Sequence, residues 1–322
     1  MKAIRVEAFG GPDTLRLAEV PDPFPESGEI LVRVEAAGVN FIDTYHRTGL
    51  YPNPLPFVPG LEGAGVVTAR ARDVELYREG DRVARSSAIG SYAESLRLPA
   101  QKAVAIPDGT DSRTAAAAML QGMTAQYLSA STFPLASGMS CLVHAAAGGV
   151  GLLLVQMAKR RGAHVIGTVS TEAKAALARE AGADHVILYT QEDFLAEVKR
   201  LTNGRGVDVV YDGVGKDTAM KSLDCLAPRG MMVFYGNASG PAPAIDPLLL
   251  SQKGSLFLTR PMLFHHIADR QSLEARAGDV LTAIAQGQLK VRIDQAFPLA
   301  EAALAHRRLE GRQSTGKLLL VP

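Results

Sequence analysis

Between Gly138 and Gly151 the chain reads GMSCLVHAAAGGVG, an apolar run that breaks on small residues and enters the helix-forming stretch GVGLLLVQMAKRR. A strand that passes through glycines into a helix lets backbone come close to a bound group. The helix start then offers free N–H groups and a partial positive charge. A second apolar run, AHVIGTV over 163–169, completes a strand–helix–strand unit of roughly 30 residues. That arrangement holds a dinucleotide pyrophosphate, with Gly148, Gly149 and Val150 as the backbone contacts. The turn departs from G-x-G-x-x-G at its first position, where Ala146 stands. The alternative is a plain strand-to-helix turn with nothing bound.

A chain of 322 residues is long for one core and fits two domains. The first 105 or so residues are short alternating runs broken by Gly and Pro, such as KAIRVEAF, EILVRVEAAG and GAGVVTAR, the pattern of an antiparallel, barrel-like β-domain. From Ser112 a helical stretch follows. Strand runs (CLVHA, HVIGTV, HVILY, VDVVYD, MMVFYG, SLFLTR) then alternate with helical ones to about residue 260, as in a doubly wound parallel sheet. The last sixty residues, ending in KLLLVP, return to the first domain. The expected division is 1–123 with 263–322, and 124–262.

Net charge is +1, which provides no excess to attract nucleic acid or an anionic membrane. No apolar run reaches membrane-spanning length. Cys141 and Cys225 lie in apolar segments and suggest neither a disulfide framework nor a metal cluster, so a cytoplasmic setting is expected. His144 precedes the glycine turn on a buried strand and reads as a hydrogen-bonded core residue.

The nucleotide can be narrowed. About 20 residues beyond the glycines, where an NAD site carries an acid for the ribose 2′-OH, the chain reads Thr168-Val169-Ser170-Thr171, without a carboxylate. Lys174 then falls in the first turn of the next helix, where a cation opposes the dipole unless an anion is present. A 2′-phosphate held by Ser170 and Lys174 supplies that anion and points to NADPH. A solvated Lys174, offset by Glu172, is the competing view.

With these residues in hand, the whole chain resembles the medium-chain dehydrogenase/reductase superfamily, a GroES-like β-barrel catalytic domain joined to a Rossmann domain. Zinc alcohol dehydrogenases of that superfamily carry a cysteine and a histidine ligand where this chain has Asn40 and Leu61, so no metal is expected. Around the glycine turn, Gly138-Met139, Leu142, Ala146-Ala147-Gly148-Gly149, Gly151, Gln156 and Lys159 match the signature of the zinc-independent quinone oxidoreductase (zeta-crystallin) branch. Asn40-Phe41-Ile42-Asp43 and Thr259-Arg260-Pro261 resemble its bacterial members.

The resemblance implies NADPH-dependent reduction of a quinone. It also implies that Thr124, Tyr235, Gly236 and Asn237 lie along the nicotinamide side, with Tyr189 near the adenosine, while Val214 falls at the carboxyl end of its strand, where such sheets bind ligands. A helix threonine bonding its own backbone and an ordinary strand-end aromatic are the alternatives for Thr124 and Tyr189. Asn40 would position the nicotinamide ribose or the substrate carbonyl, and Tyr45 and Tyr51 would offer flat faces to a quinone ring, with covering the β-domain core as the alternative for both. Arg260, Arg312 and Lys317 would bind phosphate or substrate oxygen, with ion pairing as the alternative for each. A homodimer through the sheet edge at SLFLTR is implied as well. Reduction of an activated C=C bond in enals, enones or acryloyl-CoA is a second reading of the same fold. A non-enzymatic NADPH-binding or RNA-associated role is a third, and the near-zero charge argues against RNA.

Overall fold

The computed structural model describes all 322 residues. Seven strands open the chain: β1 (Lys2–Arg5), β2 (Arg16–Glu19), β3 (Glu29–Val39), β4 (Glu62–Arg70), β5 (Arg82–Ser86), β6 (Ser95–Pro99) and β7 (Ala103–Ala105), with helix α1 (Phe41–Thr48) between β3 and β4. Helix α2 (Ser112–Tyr127) follows. Strands and helices then alternate: β8 (Ser140–His144), α3 (Gly149–Arg160), β9 (His164–Val169), α4 (Glu172–Glu180), β10 (His185–Leu188), α5 (Phe194–Leu201), β11 (Val207–Asp212), α6 (Ala219–Asp224), β12 (Leu226–Phe234), α7 (Pro247–Gln252) and β13 (Phe257–Thr259). Helices α8 (Leu263–His266) and α9 (Arg270–Ala285), strand β14 (Ile293–Pro298), helix α10 (Ala302–Glu310) and strand β15 (Lys317–Val321) complete the chain. Two compact units result, Met1–Met123 with His266–Pro322, and Thr124–His265.

In the first unit a seven-stranded sheet runs β14-β15-β3-β4-β5-β7, with β6 also paired to β3. Its pairs are antiparallel except β14 with β15, and the final strand zips Leu318 to Val39 across β3. Alternation along β3 sends Ile30, Val32 and Val34 to a core completed by Val67, Val83, Leu98, Leu318 and Leu320. Each such side chain stabilises by roughly 1.5–3 kcal/mol on burial.

The second unit holds a six-stranded parallel sheet in the order β10-β9-β8-β11-β12-β13, the doubly wound arrangement expected from the alternation. Every residue of β8 is buried, because helices cover both faces of such a sheet and its central strands run apolar throughout.

Helix α1 was not foreseen. Its sequence, FIDTYHRT, is short and largely polar, and a local device starts it: the Asp43 carboxylate accepts from the Asn40 N–H at 2.8 Å. Gly49, at φ 82°, ends it in the left-handed conformation that glycine adopts without strain. Before β15 the chain makes a tight turn at Leu299–Glu301 and runs directly into α10.

Candidate active site

In the unit Thr124–His265 the candidate site is built from backbone. At the end of β8 the chain turns at Ala145 (φ 51°) and enters α3 at Gly149, after Gly148. A Cβ on Gly151 would lie 2.3 Å from the Ala145 carbonyl oxygen, so only glycine permits this close crossing of turn and helix. Ala146, in place of the motif's first glycine, is fully buried, and its methyl group is accommodated by Gly167 on β9. A Cβ there would come within 2.7 Å of the Ala146 Cβ. The substitution is thus balanced across two strands. A cradle of free helix-start N–H groups, kept open by glycines, fits a pyrophosphate.

The same sheet end collects most of the candidate cofactor residues. Half-buried Ser170 follows β9, Tyr189 (41% exposed) follows β10, Val214 follows β11, and Tyr235-Gly236-Asn237 follow β12. Gly213 and Gly236 pack backbone to backbone, since a Cβ on Gly236 would sit 2.5 Å from the Gly213 oxygen. Asp212, wholly buried, anchors the β11 turn by accepting from the N–H groups of Val214 (2.7 Å) and Gly215 (2.9 Å) and from the Thr218 hydroxyl (2.6 Å). Thr171 caps α4 by accepting from the Lys174 N–H, which places Lys174 in the first helical turn, half-buried. Arg260 donates to the Phe234 carbonyl at 3.3 Å. Thr124, in α2, is 7% exposed. His144 is a core residue: its ring bonds Thr168 and Ser222, and burial lowers its pKa.

The other unit holds a cluster of its own, built from side chains. Asn40, between β3 and α1, is 3% exposed and fully engaged. Its amide nitrogen donates to Glu62 (2.9 Å) and to the Gly38 carbonyl (3.3 Å), while its oxygen accepts from Lys317 Nζ (2.7 Å) and Gln121 (3.3 Å). Those bonds fill both donors and both lone pairs of the amide. Lys317 and Glu62 form an ion pair that excludes water, 1% and 0% exposed, and the Leu120 N–H donates to the same carboxylate at 2.5 Å. Gly38 makes the room for it, because a Cβ there would lie 2.2 Å from Glu62 Oε2 and 2.6 Å from Lys317 Cε.

Lys317 therefore departs from the expectation that it meets the cofactor. Its charge is neutralised within the protein, although burial lowers its pKa. Asn40 likewise can meet a ligand only by giving up one of these bonds. Arg312 lies exposed in the turn after α10, at φ 56°.

A second buried chain adjoins this cluster. Asp43 accepts from Asn40 N–H, Leu61 N–H (3.2 Å) and the Tyr92 hydroxyl (3.1 Å). Tyr92 also meets His306 Nε2 (3.1 Å), and His306 Nδ1 meets the Arg47 guanidinium (3.2 Å), which grips Glu310 with two donors. Arg47 can only donate, so Nδ1 is the acceptor of a neutral imidazole and Nε2–H donates to Tyr92. Burial, aided by the Arg47 charge, takes the His306 pKa down to about 3, and burial raises Asp43 to about 7. Sequence reading missed Asp43, Arg47, Glu62, Tyr92, Gln121 and His306 as site residues. Gly38 was the one local signal, a glycine inside a strand that marks a close approach.

Tyr45 and Tyr51 come together edge to face, ring centroids 5.3 Å apart, with Phe41 and His46 flanking at 6.4 Å. No group of three or more His, Cys, Asp or Glu side chains could hold a metal. At the positions of the zinc ligands an amide and an isobutyl group stand, and an ammonium sits 2.7 Å from that amide. A resident cation with no thiolate or imidazole beside it does not fit zinc.

Comparison with known proteins bears on this geometry. Residues 26–108 match the alcohol dehydrogenase GroES-like domain, and 149–268 the zinc-binding dehydrogenase family. A quinone oxidoreductase of Pseudomonas aeruginosa is 47% identical over 100% of this chain and 99% of its own. A 2-haloacrylate reductase of a Burkholderia species is 44% identical over 97% and 96%. The structure of Escherichia coli quinone oxidoreductase complexed with NADPH superposes with a TM-score of 0.97, at 43% identity and full coverage of both chains.

Proposed function

This chain belongs to the quinone oxidoreductase family of the medium-chain dehydrogenase/reductase superfamily, and from that premise we propose how its residues divide the work. It is an NADPH-dependent quinone reductase. The observation that carries the reading is the full-length match to quinone oxidoreductases by a chain whose zinc-ligand positions hold Asn40 and Leu61. NADPH, when bound, supplies the reducing equivalents from its nicotinamide.

In this proposal Gly148, Gly149 and Val150 cradle the pyrophosphate, and Ser170 with Lys174 holds the 2′-phosphate. Tyr189 lies by the adenosine, and Thr124, Val214, Tyr235, Gly236 and Asn237 line the nicotinamide half. Arg260 and Arg312 serve phosphate or acceptor oxygen. Tyr45 and Tyr51 present ring faces to the quinone. Asn40 and Lys317 act as positioning residues, holding the turn before α1 against β4 and β15. Residues 1–123 with 263–322 form the catalytic domain and 124–262 the NADP-binding domain. A homodimer through β13 and a cytoplasmic location belong to the same proposal. The dimer is supported by an edge strand that leaves Phe257 52% and Leu258 39% exposed.

A second reading, reduction of activated C=C bonds, is favoured by the 2-haloacrylate reductase relative. Following NADPH oxidation with an ortho-quinone, a para-quinone, a 2-alkenal and crotonyl-CoA separates the two. Quinone turnover indifferent to a chelator is expected. Turnover of the alkenal or thioester alone selects the second reading, and tight NADPH binding without turnover selects a non-enzymatic role. Lys174→Glu should lower the NADPH-over-NADH ratio of kcat/KM by about tenfold, worth ~1.4 kcal/mol. An unchanged ratio removes the 2′-phosphate contact.

A further inference from the structure

Two arginines are buried in the unit that holds the sheet β14-β15-β3-β4-β5-β7, and they are treated very differently. Arg47, 1% exposed, bonds Glu310 twice, His306 and the Gly10 carbonyl. Arg85, on β5 and 4% exposed, has one long hydrogen bond, 3.4 Å from Nη2 to the Ile89 carbonyl. Its Nε is buried without a partner, and no carboxylate pairs with it. Burial alone lowers its pKa to about 10, so the group is still charged at neutral pH. An unanswered buried charge destabilises a fold by several kcal/mol, which is why buried guanidinium groups are ordinarily paired.

A second unanswered donor lies by its cross-strand partner. Arg85 is paired with Gly63 across β4 and β5, and antiparallel partners project from one face. A Cβ on Gly63 would lie 3.1 Å from Ser91 Oγ, so that hydroxyl lies by the cross-strand partner of Arg85. Ser91 Oγ is itself buried and unpartnered. The residue is held in place, because its N–H donates to the Gly60 carbonyl at 3.0 Å and the next residue is Tyr92 of the Asp43 chain. On the other side, Ser86 pairs with Glu62, the partner of Asn40 and Lys317.

A planar fork of N–H donors is complementary to a carboxylate, which accepts two parallel bonds from the fork. We propose that Arg85 binds a carboxylate carried by the electron acceptor, so that this chain selects acidic acceptors: quinones with a carboxylate arm, or α,β-unsaturated carboxylates. The inference rests on the reading that the chain reduces electrophilic acceptors, and it adds the substrate class. The neutralising charge arrives with the substrate, and the unliganded protein bears the strain.

The test compares acid with amide. A para-quinone with a propionate arm is run against its primary amide, and acrylate against acrylamide, with NADPH. In the wild type, kcat/KM for the acid should exceed that for the amide by at least about tenfold, ~1.4 kcal/mol, in whichever pair is turned over. In Arg85→Met that ratio should fall to about one, and Arg85→Lys should retain part of it, because an ammonium keeps the charge but loses the fork. Melting curves supply a readout independent of turnover. Propionate should raise the wild-type Tm with increasing dose and leave Arg85→Met unmoved, while Arg85→Met without ligand should melt above the wild type. Equal use of acid and amide by the wild type overturns the proposal, as does propionate stabilising Arg85→Met equally. If no acceptor turns over, the enzymatic reading fails and melting alone judges the carboxylate site. If Arg85→Met does not fold, Arg85→Lys carries both comparisons.

Discussion

At the end of β8 the protein makes the surface proposed for the pyrophosphate from backbone, with Gly148, Gly149 and Gly151 keeping side chains out of the way. Behind α1 it does the reverse, packing Asn40, Glu62 and Lys317 until no hydrogen-bonding valence of the amide is left over. The first region is local, with all of its parts within a few residues of one another. The second joins residues 277 positions apart in the chain. A backbone site tolerates most changes of side-chain chemistry but not the addition of one carbon. A buried charge cluster tolerates changes of shape better than the loss of one partner.

The largest effect expected from this contrast is at Lys317. Lys317→Met leaves the Glu62 carboxylate buried and unpaired, and should lower unfolding stability by about 3–5 kcal/mol. Adding Glu62→Leu should recover much of that, read by denaturant unfolding. If the single change costs under about 1 kcal/mol, the pair does not hold the turn. Next, Gly151→Ala forces a methyl against the Ala145 oxygen and should cost about 1–3 kcal/mol. Weakened NADPH binding in a fluorescence titration is the matching signature, and unchanged affinity and stability together would falsify the close-crossing account.

The third effect is one of pH. Asp43 titrates at about 7 folded against 3.8 free, and His306 at about 3 against 6.5. Between about pH 4 and 6.5 the folded chain holds an extra proton on Asp43 and lacks one on His306. Asp43 therefore contributes stability that is lost as pH rises, His306 contributes stability that is lost as pH falls, and the two slopes oppose each other. His306→Phe should unmask Asp43, with stability relative to wild type falling by about 1.4 kcal/mol per pH unit as pH rises through that window. Asp43→Leu should give the opposite slope. Unfolding curves at several pH values decide it, and curves parallel to wild type sink the coupling. Smallest is Thr171→Ala, which removes the α4 cap and should cost about 1 kcal/mol. That change should be visible in hydrogen exchange confined to the first turn of α4, and a global effect would break the assignment.

How much was legible follows the same division. The glycine turn, the alternation of strands with helices, and the absence of an acid after β9 are local patterns, and they led to the doubly wound sheet and to NADPH. Ala146 was legible as a departure from the motif, but its balancing partner Gly167 was not, because register across β8 and β9 brings them together. Helix α1 was hidden for a related reason: eight residues make little more than two turns, too short a run to stand out between strands, and Asp43 decides the matter through bonds to Asn40, Leu61 and Tyr92. Asn40 was singled out by its place in the family pattern, while the partners that occupy it come from β4, α2 and β15.

The amino-acid sequence by itself determined the fold class and the glycine turn at the end of β8, since periodicity, glycine spacing and residue type are properties of short segments, and resemblance to a family then marked Asn40 and Leu61 at the zinc-ligand positions. Tertiary structure alone decided that Lys317 faces Glu62, that Asp43 and His306 titrate far from their ordinary values, and that Arg85 has no internal counter-charge. Those are matters of burial and of which distant strand lies alongside, and a one-dimensional chain does not encode either within any window short enough to read.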